Sequence, residues 1–265
     1  MKNSPGKYLL VISNLIVYAY LFVPLLIIVG ISFSPTYQMG FPPEGFSLRW
    51  FKYILDQIEF THSFYVSVVV AFFASIFALV IGILSSLAIV RYKFRGKTVI
   101  ENIFMMPVIL PTVVTGVAML QFFSIIGYYD YWTRLILAHT VITIPYTIRS
   151  ISASLYGFNM SFEEASLVMG ANHLQTFRNI LLPLIKPGII SGALLSFIIS
   201  FDNVTVSLFL IGSNTVTLPV RIMLYLDWQF DPSVAAISTI LIVLTVITIL
   251  IAEKIVGLAN IMKME

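Results

Sequence analysis

Apolar residues in this chain come in blocks too long for the helices or strands of a soluble core. Stretches at 8–33, 63–90 and 102–127 each reach or exceed about 20 residues, the length at which a helix crosses the hydrocarbon of a bilayer. Two more follow at 185–212, which carries Asp202, and at 233–254. Another, at 131–152, is weaker, because only the 14 residues from Leu135 to Ile148 are free of charge. Arg134 and Arg149 flank it, and their apolar stems can extend toward the two interfaces and lengthen the usable span. The pattern predicts an all-α polytopic membrane protein, a single domain over 1–265 with six transmembrane helices. A long outer loop is expected at 34–61 and a polar loop at 161–180. The outer loop contains Ser34-Pro35 and Phe41-Pro42-Pro43, then Ser47 as a cap for a short helix along the membrane surface.

Composition agrees: 59% of the residues are hydrophobic and 10% charged, against about 25% charged in a soluble domain. The net charge of +3 is informative only by location. With the N-terminus inside, Lys2, Lys7, Arg91, Lys93, Arg95, Lys97, Arg149, Arg178, Lys186, Lys254 and Lys263 fall on the cytoplasmic side. Arg49, Lys52, Arg134 and Arg221 remain outside, so eleven of fifteen basic residues obey the positive-inside rule. Leaving the fourth stretch out of the membrane would weaken that bias. Lys2 and Lys7 precede the uncharged run from Tyr8 to Phe33, which is too long for a cleavable leader and reads as a retained span. Zero cysteines exclude disulfides and thiolate metal sites. Nothing in the charge pattern points to nucleic acid.

The loop between the fourth and fifth spans has its own structure. Ser161 with Glu164 three residues on forms a capping box, predicting a helix from Phe162 with Glu163 and Glu164 at its positive end. Gly170 suits the left-handed conformation that ends a helix, and a second helical stretch is expected from Asn172. Pro183 fits the first turn of the next span, where its missing N–H has no intrahelical partner. Phe162, Ala165, Leu167 and Met169 give this loop apolar surface beyond the reach of the bilayer, which a protein partner would cover.

Glu164-Ala165-Ser166, then Gly170, then Ile180-x-Leu182-Pro183 resembles the EAA loop of permease subunits in binding-protein-dependent ABC importers, with Ser166 in place of the more usual second alanine. Further stretches, Phe41 to Phe51, Arg91 to Lys97, Thr217 to Val220 and Asp231 to Ala235, are similar to the polyamine permease branch and to relatives handling opines or aminoethylphosphonate. The resemblance implies a type I ABC importer permease fold in a bacterial inner membrane, with both termini cytoplasmic. It implies that Glu163, Glu164, Ala165, Ser166, Gly170, Ile180, Leu182 and Pro183 form the joint with cytoplasmic ATPase subunits. ATP and Mg would be used by that ATPase, with no cofactor bound by this chain. The other partners implied are a second, non-identical permease, a periplasmic or lipid-anchored substrate-binding protein and membrane lipid.

Asp202 and Asn203 are the candidate lining of the substrate path. A carboxylate in hydrocarbon costs about 2.5–3.5 kcal/mol on insertion scales, so Asp202 must face protein or water. Receiving a cationic amine is one role for it, and a helix-packing hydrogen bond is the other. An ion-coupled secondary transporter would instead use Asp202 as its proton or sodium site, but leaves the capped loop unexplained. Gly188 and Gly192 form a small-xxx-small pair for close helix packing, and Pro107 and Pro111 are positioned to kink the third span. Tyr128, Tyr129, Tyr131 and Trp132 mark the outer interface. Gly96-Lys97-Thr98 is no phosphate loop, because Arg91 stands where the first glycine belongs. His62, His139 and His173 lie on separate segments and suggest neither a zinc site nor a triad. No catalytic centre is expected.

Overall fold

The computed structural model describes residues 5–157 and 161–256. Every regular element among them is helical: α1 Pro5–Ile31, α2 Arg49–Asp56, α3 Ile58–Arg91, α4 Lys97–Ile109, α5 Thr112–Ile125, α6 Tyr131–Tyr156, α7 Ser161–Val168 and α8 His173–Thr176. A π-helical turn, Phe177–Leu181, leads into α9 Leu182–Phe201, followed by α10 Thr205–Leu210, α11 Leu218–Leu226 and α12 Ser233–Val256. Lys2 and Lys263, which enter the charge count, lie outside the described residues.

Five helical stretches are long and apolar enough to cross a membrane: Leu10–Ile31, Ile58–Arg91, Tyr131–Tyr156, His173–Phe201 and Ser233–Leu250. The third stretch, expected as one helix over 102–127, is instead the pair α4 and α5, bent by 108°. Pro111 accounts for the bend: Leu110 before it is extended, with ψ 143°, because the proline ring excludes the helical region for its predecessor. Pro107, inside α4, does not break its helix. The fifth stretch, expected as continuous over 185–212, stops at Phe201 and resumes at Thr205. Here Asn203 competes with the helix backbone, because its Oδ1 accepts the Val206 N–H at 2.8 Å.

The contacts divide the chain into two units, each with its own packing. One holds the residues up to Thr61 together with Ile222–Ile249. Its outer loop closes around buried Trp50 and Ile54, with Phe33 stacked on Phe46 at 4.7 Å and Arg49 lying 4.1 Å over the Tyr37 ring. Ser47 accepts the Arg49 N–H at 3.1 Å, just ahead of α2. Asp231 Oδ1 accepts the Ser233 N–H at 2.9 Å at the start of α12, while its Oδ2 accepts the Tyr225 hydroxyl at 2.8 Å.

The other unit runs from His62 to Arg221 and takes in the chain from Leu250 onward. One part of its core joins Val66 and Val70 of α3, Phe123 of α5, Leu135, Ala138 and Ile142 of α6, and Val206 and Leu210 of α10. Another joins Ile151 and Leu155 of α6 to Leu181 and Ile185. Lipid tails are as apolar as leucine, so contact distance and interhelical hydrogen bonds, rather than the hydrophobic effect, hold such helices together. Both are present here. A Cβ built on Gly188 would lie 2.7 Å from the Ser150 carbonyl oxygen, and one on Gly192 would lie 3.3 Å from the Thr147 Cα, so α9 approaches α6 almost backbone to backbone. Thr147 Oγ1 donates to the Ala78 carbonyl at 2.9 Å, and Ser86 Oγ to the Ile148 carbonyl at 3.1 Å, tying α6 to α3.

Asp130 caps α6, accepting the Thr133 N–H at 2.8 Å and the Thr133 hydroxyl at 2.5 Å. The hydroxyl, and after it the N–H, hold the Asp130 carboxyl below its ordinary value. Arg134 reaches back past the start of α6 and is 5% exposed. Its guanidinium donates to the Tyr128 carbonyl and lies 5.0 Å over the Tyr129 ring. The aromatic cluster is thus organised around a buried cation.

Candidate functional site

The polar loop folds into a tight elbow. Helix α7 begins at Ser161, one residue earlier than expected, and residues 158–160 before it lie outside the described residues. Its end is a Schellman motif: the Gly170 N–H bonds the Leu167 carbonyl at 3.0 Å and the Ala171 N–H bonds the Ser166 carbonyl at 3.1 Å. Gly170 has φ 88°, a conformation that costs an L-residue roughly 1–2 kcal/mol, so glycine is the fitting residue there. Asn172 caps α8 in a reciprocal capping box with Gln175. Ser166 and Thr176, both buried, pair their hydroxyls at 3.0 Å and clamp α7 to α8. The serine that departs from the usual alanine therefore has a structural partner.

Leu181 is buried, Ile180 and Leu182 half-buried, and Pro183 exposed in the first turn of α9. The π turn joins α8 to α9 without a break in the helix. Glu163 forms an ion pair with Arg91 at the end of α3, both side chains being mostly covered, at 17% and 19% exposure. Glu164 is exposed. The pair ties the end of α3 to the elbow, and Arg91 is a site residue to which sequence reasoning assigned no contact.

The elbow leaves an apolar face uncovered. Phe162 is 58% exposed, Val168 88%, Met169 81% and Leu174 74%, with Ala165 and Leu167 beside them. The expected apolar surface is present and extends to Val168 and Leu174.

The second candidate, Asp202 with Asn203, sits at the break between α9 and α10. Asp202 closes α9 as its C-cap and is exposed. Asn203 is half-buried, its side chain engaged with the Val206 N–H. The Phe201 ring, on the residue before Asp202, lies 6.0 Å from the rings of both Phe64 and Phe197. His139 and the serines of the break are joined in the buried interior behind it. No cluster of three metal-ligating side chains occurs among the described residues. A cleft of about 670 Å³ inside the bend of α4 and α5 is lined by apolar residues such as Pro107, Leu110, Val114 and Phe122, without a charged group.

Comparisons place this geometry among known proteins. The chain is 35% identical over 240 residues to the spermidine/putrescine transport system permease protein PotC of Haemophilus influenzae, covering 91% of this chain and 93% of that one. It is 30% identical to the PotC protein of Escherichia coli K12, with 90% of each chain covered. The putrescine transport system permease protein PotI of the same organism is 28% identical, over 91% of this chain and 86% of its own length. Among solved structures, the chain resembles a subunit of a bacterial ABC transporter that imports the acidic polysaccharide alginate, with TM-score 0.70, 17% identity and coverage of 97% and 98%. It also resembles a chain of the MetNI methionine ABC transporter in an inward-facing conformation, with TM-score 0.59, 22% identity and coverage of 75% and 94%. The fold is that of an ABC importer permease. The family model for binding-protein-dependent transport system inner membrane components matches residues 78–256, the stretch that contains the bent pair, the elbow and the broken fifth span. The chain belongs to that family and is a multi-pass inner-membrane transport component.

Proposed function

We propose that this chain is the permease subunit of an ATP-driven importer for a polyamine, spermidine or putrescine, and that the elbow 161–180 is the joint through which a cytoplasmic ATPase moves it. The carrying observation is the exposure of Phe162, Leu167, Val168, Met169 and Leu174 on a polar loop. A lipid-facing role does not suit a segment that carries Glu163, Glu164, Asn172 and Arg178 within the same turns. A groove on a partner ATPase suits it. The names of the PotC and PotI relatives support the cargo.

Both termini are then cytoplasmic, ATP and Mg are handled by the ATPase, and a periplasmic or lipid-anchored binding protein delivers the cargo. A second, non-identical permease completes the pathway. Closure of the ATPase pulls the elbow. The motion passes to α9 through the π turn and to α3 through the pair of Glu163 with Arg91, so these two helices move together. Asp202 receives the ammonium group, while Asn203 shapes the break that presents it.

Met169→Asp tests the joint, because the residue is exposed and its replacement leaves the interior untouched. Burying an unpaired carboxylate in an apolar groove costs several kcal/mol, so ATP-driven spermidine uptake by the reconstituted transporter is expected to fall more than about tenfold. The ATPase is expected to be lost on purification while the chain still inserts. Full uptake with the ATPase still attached would overturn the docking role.

A further inference from the structure

His139 lies inside α6, wholly buried, about 12 Å along the helix axis from its outer end at Tyr131. Its ring touches both sides of the break in the fifth span. Nδ1 is 2.8 Å from the Ser200 hydroxyl in the last turn of α9, and Nε2 is 2.9 Å from the Ser207 hydroxyl in α10. Counting hydrogens assigns the direction of these bonds. Ser207 donates its one hydroxyl proton to the Asn203 carbonyl at 2.7 Å. It can then only accept from His139, so Nε2 carries the ring proton. With the ring neutral, Nδ1 is a lone pair and the Ser200 hydroxyl donates to it. A directed chain results, from Ser200 through His139 and Ser207 to the carbonyl of Asn203.

That chain brackets Asp202. Two residues before it, Ser200 is held by one ring nitrogen. One residue after it, the Asn203 carbonyl is held through Ser207 by the other. The backbone between them is fixed further by the Asp202 N–H on the Ile198 carbonyl at 3.0 Å and the Asn203 N–H on the Ser200 carbonyl at 3.4 Å. His139 makes no hydrogen bond to Asp202 itself, and the carboxylate remains exposed. We infer that His139 is a positioning residue for transport: it sets the geometry of the break between α9 and α10 and thereby the direction in which Asp202 presents its carboxylate to a cationic amine. This rests on the reading of Asp202 given above.

A residue that only stabilises packing predicts something different. Removing one member of a buried polar chain destabilises by leaving partners unpaired, whereas removing all of them together is close to neutral. The test therefore compares His139→Phe, which keeps a ring of similar shape, with the triple variant His139→Phe/Ser200→Ala/Ser207→Ala, and both with Asp202→Asn and His139→Phe/Asp202→Asn. Each is made in the complete transporter in proteoliposomes, and two quantities are read: the thermal midpoint, and spermidine moved per ATP hydrolysed.

For His139→Phe, spermidine moved per ATP is expected to fall roughly tenfold, the scale of one misaligned charge-assisted contact. The triple variant regains the thermal midpoint but not the transport ratio. The variant combining His139→Phe with Asp202→Asn does no worse than Asp202→Asn alone. Recovery of the ratio in the triple variant, or effects that multiply in the combined one, overturns the positioning role. A normal ratio in Asp202→Asn removes the reading of Asp202 and this inference with it. A defect in Asp202→Asn with none in His139→Phe removes this inference alone.

Discussion

Gly188→Leu is expected to leave almost no folded protein in the membrane. The Cβ that any side chain brings would stand 2.5 Å from the Ser154 hydroxyl and 2.7 Å from the Ser150 carbonyl oxygen. The hydroxyl can rotate away; the carbonyl belongs to the backbone of α6 and cannot move unless the helices separate. Separation would also disturb Gly192 against Thr147, one turn along, and Thr147 is the residue whose hydroxyl anchors α6 to α3. Overpacking in a well-filled core costs typically about 1–3 kcal/mol and more where backbone must shift, a large part of a total stability of roughly 5–15 kcal/mol. The measurement is the yield of monodisperse protein and its thermal midpoint in detergent. Gly40→Leu serves as the comparison, because nothing lies within 4 Å of a Cβ there. Equal yields from the two variants would show that α6 and α9 are not packed through these glycines.

Arg91→Glu is expected to uncouple transport from ATP hydrolysis, and exchanging the two charges is expected to restore it. Arg91 and Glu163 are both mostly covered, so reversal sets two carboxylates against each other with little water between them. After allowance for partial exposure, that costs on the order of 2 kcal/mol, enough to free the loop after α3 from the elbow. Spermidine uptake should then fall more than about tenfold. Arg91→Glu combined with Glu163→Arg rebuilds the pair in the opposite sense, and most of the uptake should return. Undiminished uptake in the single variant, or no recovery in the exchange, would separate the ion pair from the coupling path.

Features set by local chemistry were readable from the sequence. Gly170 takes the left-handed conformation because a Schellman ending requires it, and Asn172 starts the second helix because its amide satisfies the Gln175 N–H. The long apolar runs became helices because, in hydrocarbon, a span must satisfy its own backbone. Features set by distant partners were less accessible. Pro111 announced a kink, but a bend as large as 108° depends on how α5 and α10 pack, as where Gly116 admits the Phe209 ring. The end of α9 at Phe201 lay hidden in a run that reads as apolar on both sides of Asp202 and Asn203. Glu163 and Glu164 are adjacent in sequence, and only the position of Arg91, 72 residues away, assigns the ion pair to the first of them. Likewise, the pairing of His139 with Ser200 and Ser207 joins residues 61 and 68 positions apart.

The claim on which the rest depends is that the elbow faces the cytoplasm and is covered there by an ATPase. Since the chain has no cysteine, Met169→Cys places a single thiol on the 81% exposed position at its tip. Labelling that thiol with a membrane-impermeant maleimide tests the claim in one experiment. The predicted result is reaction in inside-out vesicles stripped of the ATPase, protection when the ATPase is bound, and no reaction in right-side-out vesicles. Labelling in right-side-out vesicles would contradict the account.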